Sequence, residues 1–162
     1  NTALIDNPEL TVRKIIGTNP KRIVLDTNRT LPYDLNLLKD NQADTIIICS
    51  NQKFQDNETS HCKYITADEL NNKLDPKHIL VRLGELGITS LILEGGSELI
   101  DSFLSLDLID EFYLYTSMNS NSDLNIKNPF TIDDKWKVKN KQMLDDDQLI
   151  ILEKKEKCLQ EL

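Results

Sequence analysis

Residues 91–104 read LILEGGSELIDSFL, and within them the spacing of apolar residues changes at a pair of glycines. Ahead of Gly95 and Gly96, the largely apolar run 88–93 predicts a strand buried on both faces of a sheet. Beyond them, apolar residues recur at spacings of one, three and four, which predicts an amphipathic helix over 99–106. Ligands of open α/β sheets bind where strands end, and free N–H groups at a helix start attract anions. The stretch therefore predicts an α/β fold with an anion site at these glycines.

The composition indicates one globular domain without a nucleic-acid or membrane partner. The chain has 162 residues, 39% of them hydrophobic, and a net charge of −8. Binding to nucleic acid or to an anionic membrane needs a basic surface, so the acidic balance argues against both. No apolar run approaches the roughly 20 residues that span a bilayer, and residues 1–13 lack the pattern of a signal peptide. We therefore expect a cytoplasmic protein.

The cysteines and histidines predict neither a disulfide framework nor a metal site. Cys49, Cys62 and Cys158 are odd in number, widely spaced and outside any C-x-x-C pair, so we expect reduced thiols. His61 stands beside Cys62, but two adjacent residues without further ligands at useful spacing do not predict a bound metal.

Strand and helix patterns alternate until about residue 115 and then give way to strands alone. Strands are predicted over 10–12, 21–26, 45–49, 64–65, 88–93 and 109–115, and helices over 35–40, 68–74, 78–86 and 99–106. A polar loop over 117–128 and a hairpin over 136–143 and 148–155 follow. The alternation favours a mixed sheet with helices on both faces.

Three stretches together resemble one family, the reductase domain of bacterial bifunctional riboflavin-biosynthesis proteins. Residues 1–13, NTALIDNPELTVR, resemble its N-T-x-x-x-D-[DN]-P-x-L-T-V-R motif. Residues 91–117, LILEGGSELIDSFLSLDLIDEFYLYTS, are similar to the strand, paired glycines, helix and strand near its end. Residues 21–29, KRIVLDTNR, are similar to the strand and turn that follow the first motif. The order and spacing of the stretches both fit that family.

The resemblance implies a fold and a reaction. The fold is the α/β fold of the dihydrofolate-reductase-like superfamily, with a mixed, mostly parallel sheet flanked by helices and a C-terminal antiparallel hairpin. The reaction is reduction of 5-amino-6-(5-phosphoribosylamino)uracil by NADPH, with hydride transfer to C1′ of the ribose. Because the cofactor supplies the reactive atom, the protein aligns nicotinamide and sugar and excludes water. We therefore expect no catalytic side chain.

The same resemblance assigns binding residues. Leu10, Arg13 and Glu94 are implied to contact the ribosylaminopyrimidine phosphate, with Arg13 on the phosphate and Glu94 on the pyrimidine N–H groups. The cofactor is implied to lie against residues of both motifs, which are Thr2, Asp6, Gly96, Ser97, Glu98 and Leu99. Ser50 and Lys53 are assigned to the cofactor 2′-phosphate from their position after a strand and from charge alone.

The chain also departs from the family pattern. The family domain normally begins with another strand and helix, on the order of forty residues, ahead of the N-T-x-x-x-D motif. We therefore expect residues 1–162 to be one reductase-like domain without that first strand and helix. The zinc deaminase domain of the bifunctional proteins is absent from the sequence, so a fused N-terminal deaminase is expected only in a parent protein. Residues 112–115 offer a strand edge for a homodimer.

Several simpler interpretations stay open. Taken alone, Gly95 and Gly96 also suit close helix packing, and Arg13 suits a solvated surface. Glu94 could pair with a helix N-terminus, and Asp6 could be a turn residue. The whole chain is alternatively a non-catalytic nucleotide- or phosphate-binding module of the same fold, or a related reductase that acts on another pterin or pyrimidine. The choice between NADPH and NADH also stays open.

Overall fold

The computed structural model describes residues 2–55, 59, 61–117 and 132–155. The chain divides into two compact units, Asn1–Gly96 and Ser97–Leu162. The N-terminal unit contains a parallel sheet and the C-terminal unit an antiparallel one. Among the described residues, every helix is too short or too polar to cross a lipid bilayer.

The parallel sheet has three strands, β1 (Arg22–Leu25), β2 (Thr45–Ser50) and β3 (Cys62–Ala67), in the order β1-β2-β3. The central strand β2 pairs with both neighbours and every one of its residues is buried. Its β-branched isoleucines suit a strand that is covered on both faces. The predicted strands 21–26, 45–49 and 64–65 are confirmed, the last being longer than expected.

Helical segments cover both faces of this sheet, as predicted. On one face, α2 (Asn36–Lys39) contributes Leu37 and Leu38 to a buried cluster with Ile47. On the other, Ile79 and Leu83 of α3 (Pro76–Glu85) pack against Ile46, Ile48, Ile65 and Ala67. The two clusters use alternate residues of β2, as the period of a strand requires.

The start and end of α3 follow from its sequence. The Asp75 carboxylate caps the helix by accepting from the Lys77 N–H at 3.0 Å, and Pro76 occupies the first turn. Gly87 follows the last turn with a φ of 77°, the left-handed conformation that ends many helices. The predicted helix 78–86 and its glycine stop are therefore confirmed.

The predicted helix over 68–74 is wrong, because this segment is a small antiparallel hairpin. It consists of β4 (Glu69–Leu70) and β5 (Lys73–Leu74). The two residues between them, Asn71 and Asn72, have φ values of 54° and 61°. Two consecutive positive φ angles define the tight turn that joins short hairpins, and asparagine tolerates them better than most residues.

Two predicted strands are also wrong. Leu10 has a φ of 50°, which is incompatible with an extended chain, so residues 10–12 form no strand. Residues 88–93 pair with no strand in the described part of the chain, and Ile92 is 84% exposed. An apolar run becomes a strand only where a neighbour accepts its backbone hydrogen bonds.

The C-terminal unit begins with α4 (Ser97–Ser105) and continues with β6 (Glu111–Ser117), β7 (Trp136–Leu144) and β8 (Asp147–Lys154). The three strands form an antiparallel sheet in the order β6-β8-β7. This confirms the predicted helix 99–106, strand 109–115 and C-terminal hairpin. The predicted polar loop lies outside the described residues from 118 onward.

Replacing Ile48 with alanine will lower the free energy of unfolding by about 2–5 kcal/mol, because it leaves a cavity at a side chain that is 0% exposed. The matched control is Ile16→Ala, where the side chain is fully exposed and the change should stay within about 0.5 kcal/mol. Urea unfolding followed by circular dichroism measures both. Equal unfolding midpoints for the two variants would contradict the burial of β2.

Candidate functional site

One group of predicted residues lies at the carboxyl end of the parallel sheet. Strand β2 ends at Ser50, whose N–H donates to the Thr27 carbonyl at 3.1 Å, and a 3₁₀ turn over Asn51–Lys53 follows. Ser50 is only 2% exposed, whereas Lys53 is exposed. Of the two residues assigned to the 2′-phosphate, Lys53 is therefore the one that presents its side chain to solvent here.

The turn after β1 contains a second cation, Arg29, at the same end of the sheet. The buried Asp26 carboxylate accepts from the Thr30 and Leu31 N–H groups, both at 2.9 Å. Within that turn, the Arg29 guanidinium lies 4.2 Å from the centre of the Tyr64 ring. A cation over an aromatic face is attracted by the ring quadrupole. Sequence reasoning missed this contact, because Tyr64 is more than thirty residues further along the chain.

The N-terminal motif forms helix α1 (Thr2–Asp6) and then an irregular segment, 7–13, with two left-handed residues. Asn7, with a φ of 40°, uses its side-chain oxygen to accept from the Asn36 N–H at 2.8 Å. The Asn36 side chain donates in return to the Asn7 carbonyl at 3.2 Å. Asn7 therefore satisfies a free N–H at the start of α2 from a distant part of the chain.

Two further contacts hold this segment at the amino end of the parallel sheet. The Glu9 carbonyl accepts from the Arg22 guanidinium at 3.2 Å. The Val12 N–H donates to the Asn19 side-chain oxygen at 2.8 Å, and Asn19 donates to the Gln42 carbonyl. Leu10 and Arg13 are neighbours of these anchored residues, so they lie near the starts of β1 and β2. Arg13 is exposed there.

Two predicted substrate residues, Leu10 and Arg13, therefore lie at the opposite end of β2 from two predicted cofactor residues, Ser50 and Lys53. Leu10 and Arg13 are held near Thr45, and Ser50 and Lys53 lie at the other end of this six-residue strand. At the rise of a β-strand the separation is about 16 Å along the sheet. One small ligand cannot contact both pairs of residues, whereas a substrate could contact one pair and a dinucleotide the other.

The paired glycines precede a helix, as predicted. Glu94 is exposed in the segment between α3 and α4, and Ser97 is the first residue of α4. The first N–H groups of a helix have no partner within it, so the α4 start offers donors to an anion. Glu98 lies in the same turn, and its negative charge competes with an anion for this end of the helix. Any anion contact here therefore depends on backbone N–H groups.

The described cysteines do not offer a nucleophile. Cys49 and Cys62 are buried and free of disulfides. Burial raises the pKa of the Cys49 thiol, which disfavours the reactive thiolate.

Comparison with known proteins places these features in context. A family described as the RibD C-terminal domain matches residues 1–117. A 2,5-diamino-6-ribosylamino-4(3H)-pyrimidinone 5′-phosphate reductase from Aquifex aeolicus is 33% identical over 118 residues, which cover 70% of this chain and 51% of that protein. A riboflavin biosynthesis protein RibD from the same organism is 30% identical over 152 residues, covering 88% of this chain and 41% of that protein. The chain thus spans about half the length of these relatives or less.

A solved structure is similar over most of the chain. It is a diaminohydroxyphosphoribosylaminopyrimidine deaminase/5-amino-6-(5-phosphoribosylamino)uracil reductase from Thermotoga maritima, with a TM-score of 0.74 and 26% identity. The similarity covers 94% of this chain and 43% of that one. The dihydrofolate-reductase-like α/β fold is thereby confirmed.

Replacing Leu10 with glycine will destabilise the chain less than replacing it with alanine. A left-handed φ of 50° costs an L-residue about 1–2 kcal/mol, whereas glycine adopts it freely. At the neighbouring Glu9, whose φ is not positive, the order should reverse by roughly 0.4–1 kcal/mol. Urea unfolding of the four variants measures both differences, and the same order at both positions would exclude the left-handed conformation of Leu10.

Proposed function

Because this chain belongs to the RibD C-terminal domain family, we propose that it reduces a ribosylaminopyrimidine 5′-phosphate in riboflavin biosynthesis with a nicotinamide cofactor. The observation that carries the proposal is the family match over residues 1–117, since that range contains both motif segments. The names of the relatives support the substrate class, which is 5-amino-6-(5-phosphoribosylamino)uracil in the Thermotoga maritima protein. NADPH is the cofactor that we propose.

The substrate side consists of Leu10, Arg13 and Glu94. Arg13 is exposed beside two anchored backbone groups, so its planar guanidinium is available to bind a phosphate bidentately. Glu94 is also exposed, and its carboxylate accepts from the N–H groups of the pyrimidine. When bound, a reduced nicotinamide would supply the hydride for C1′ of the ribose; the bond from C1′ to the ring oxygen breaks, and that oxygen takes a proton from water to give the ribityl chain. The protein's contribution is to fix the sugar's position and to exclude water.

The chemistry of the cofactor residues fits a phosphorylated dinucleotide. Lys53 provides an exposed cation for the 2′-phosphate, with Ser50 behind it at the end of β2. Backbone donors of residues 96–99, at the start of α4, bind the pyrophosphate in spite of the Glu98 carboxylate. Thr2 and Asp6, in α1, complete the set that we assign to the cofactor.

The surroundings of the reductase are part of the same proposal. We place the protein in the cytoplasm, as one reductase domain that joins a zinc deaminase in a longer parent protein. The double name of the Thermotoga maritima protein supports that fusion.

We also propose a homodimer that forms through β6. This strand lies at an edge of the described antiparallel sheet, and the rings of Tyr113 and Tyr115 are exposed on it.

The direct test is oxidation of NADPH followed by absorbance. We expect oxidation only when 5-amino-6-(5-phosphoribosylamino)uracil is present, and a lower rate with NADH at equal concentration. Binding of NADPH without turnover would identify a non-catalytic module instead. Turnover with a different pyrimidine or a pterin, but not with this substrate, would identify a related reductase.

Replacing Arg13 with alanine should raise the KM for the substrate about tenfold to a hundredfold, because a hydrogen-bonded contact to a charged group contributes about 1.5–3 kcal/mol. The kcat should change little, since phosphate binding is equal in the ground and transition states. Lys14→Ala removes the adjacent exposed cation and serves as the control. Unchanged KM in Arg13→Ala would remove Arg13 from the site.

A further inference from the structure

We infer that Arg22 is a positioning residue for substrate binding, because its buried guanidinium holds the segment that carries Leu10 and Arg13. This inference rests on the proposed function. Arg22 begins β1, at the end of the sheet where that segment is anchored. Its side chain is 0% exposed, which is exceptional for an arginine.

The hydrogen bonds of Arg22 explain how a charged group is tolerated there. Its Nε donates to the Thr45 hydroxyl at 2.9 Å, and one Nη donates to the Ala43 carbonyl at 2.6 Å. The other Nη donates to the Asp40 carboxylate at 2.8 Å and to the Glu9 carbonyl at 3.2 Å. A buried charge is stable only when it is paired and its donors are satisfied. Glu9 is therefore one of the four acceptors that keep this cation buried.

The geometry of the guanidinium links these acceptors rigidly. Its N–H groups point in fixed directions within one plane, so the positions of Thr45, Ala43 and Asp40 determine where Glu9 must lie. Thr45 is itself fixed, because its hydroxyl donates to the Leu37 carbonyl at 2.7 Å and it is buried in β2. The Glu9 backbone is thus positioned relative to the core of the sheet. A lysine, with a single ammonium group, cannot reproduce this fork.

The anchored carbonyl lies immediately before the strained residue. Leu10 follows Glu9 with a φ of 50°, and such a conformation persists only where the surrounding structure enforces it. The Arg22 contact acts on one side of Leu10, and the Val12 to Asn19 hydrogen bond acts on the other. Loss of the Arg22 to Glu9 contact should let residues 9–12 open more often. Protection of the Val12 amide from hydrogen exchange measures this opening locally.

A substitution that tests this role must not leave a charge unpaired, since that alone is strongly destabilising. The double variant Arg22→Met/Asp40→Asn removes both charges and keeps the approximate volumes. We expect hydrogen-exchange protection of Val12 to fall about tenfold more than that of Ile47 in β2, and the substrate KM to rise about tenfold, as for one lost hydrogen bond to a charged group. The kcat and the KM for NADPH should change little.

The control is Ile48→Ala, which destabilises the sheet by leaving a cavity but is not one of the groups that bond to Arg22. It should lower protection at Val12 and Ile47 equally, with an unchanged substrate KM. A double variant that loses protection uniformly, or keeps the native KM, would show that Arg22 only stabilises the fold. Failure of the native chain to bind or reduce the substrate would contradict the proposed function. The ratio of hydrogen-exchange protection at Val12 and Ile47 tests the Arg22 contact separately, because it needs no substrate.

Discussion

The N-terminal unit depends on the complete burial of β2. This strand pairs with β1 along one edge and β3 along the other, and side chains from α2 and α3 cover its two faces. Its backbone groups are therefore satisfied within the sheet, and its isoleucines are removed from water. The position of β2 fixes the segments at both of its ends. At its start Thr45 bonds to Arg22, and at its end Ser50 is followed by the turn that contains Lys53.

Sequence predicts those elements whose cause is local. The isoleucine run of β2, the helical spacing of apolar residues in α3 and the Gly87 stop each have their cause within a few residues. The predicted helix over 68–74 is wrong because the two adjacent asparagines, Asn71 and Asn72, adopt the tight turn of a hairpin. The predicted strand over 88–93 is wrong because a strand forms only when its backbone bonds to a neighbouring strand. The apolar pattern contains no information on such a neighbour.

The candidate site shows the same limit. Motif residues such as Arg13 and Glu94 can be named from a resemblance, and the family match over residues 1–117 confirms that resemblance. The buried residue that anchors the Arg13 segment cannot be named this way, because the acceptors of Arg22 lie 13 to 23 residues away along the chain. The Arg29 to Tyr64 contact is equally non-local. A sequence pattern therefore identifies exposed motif residues more readily than the buried residues that contact their segments.

The strand order of the two sheets has a consequence for synthesis on the ribosome. In the N-terminal unit the order β1-β2-β3 follows the chain, so each strand can pair as soon as it emerges. Among the described strands of the C-terminal unit, β8 lies between β6 and β7, so neither neighbour can pair with it until the last of the three has left the exit tunnel. Until then β6 lacks its described partner strand, and the free backbone groups of an unpaired strand edge favour aggregation of nascent chains.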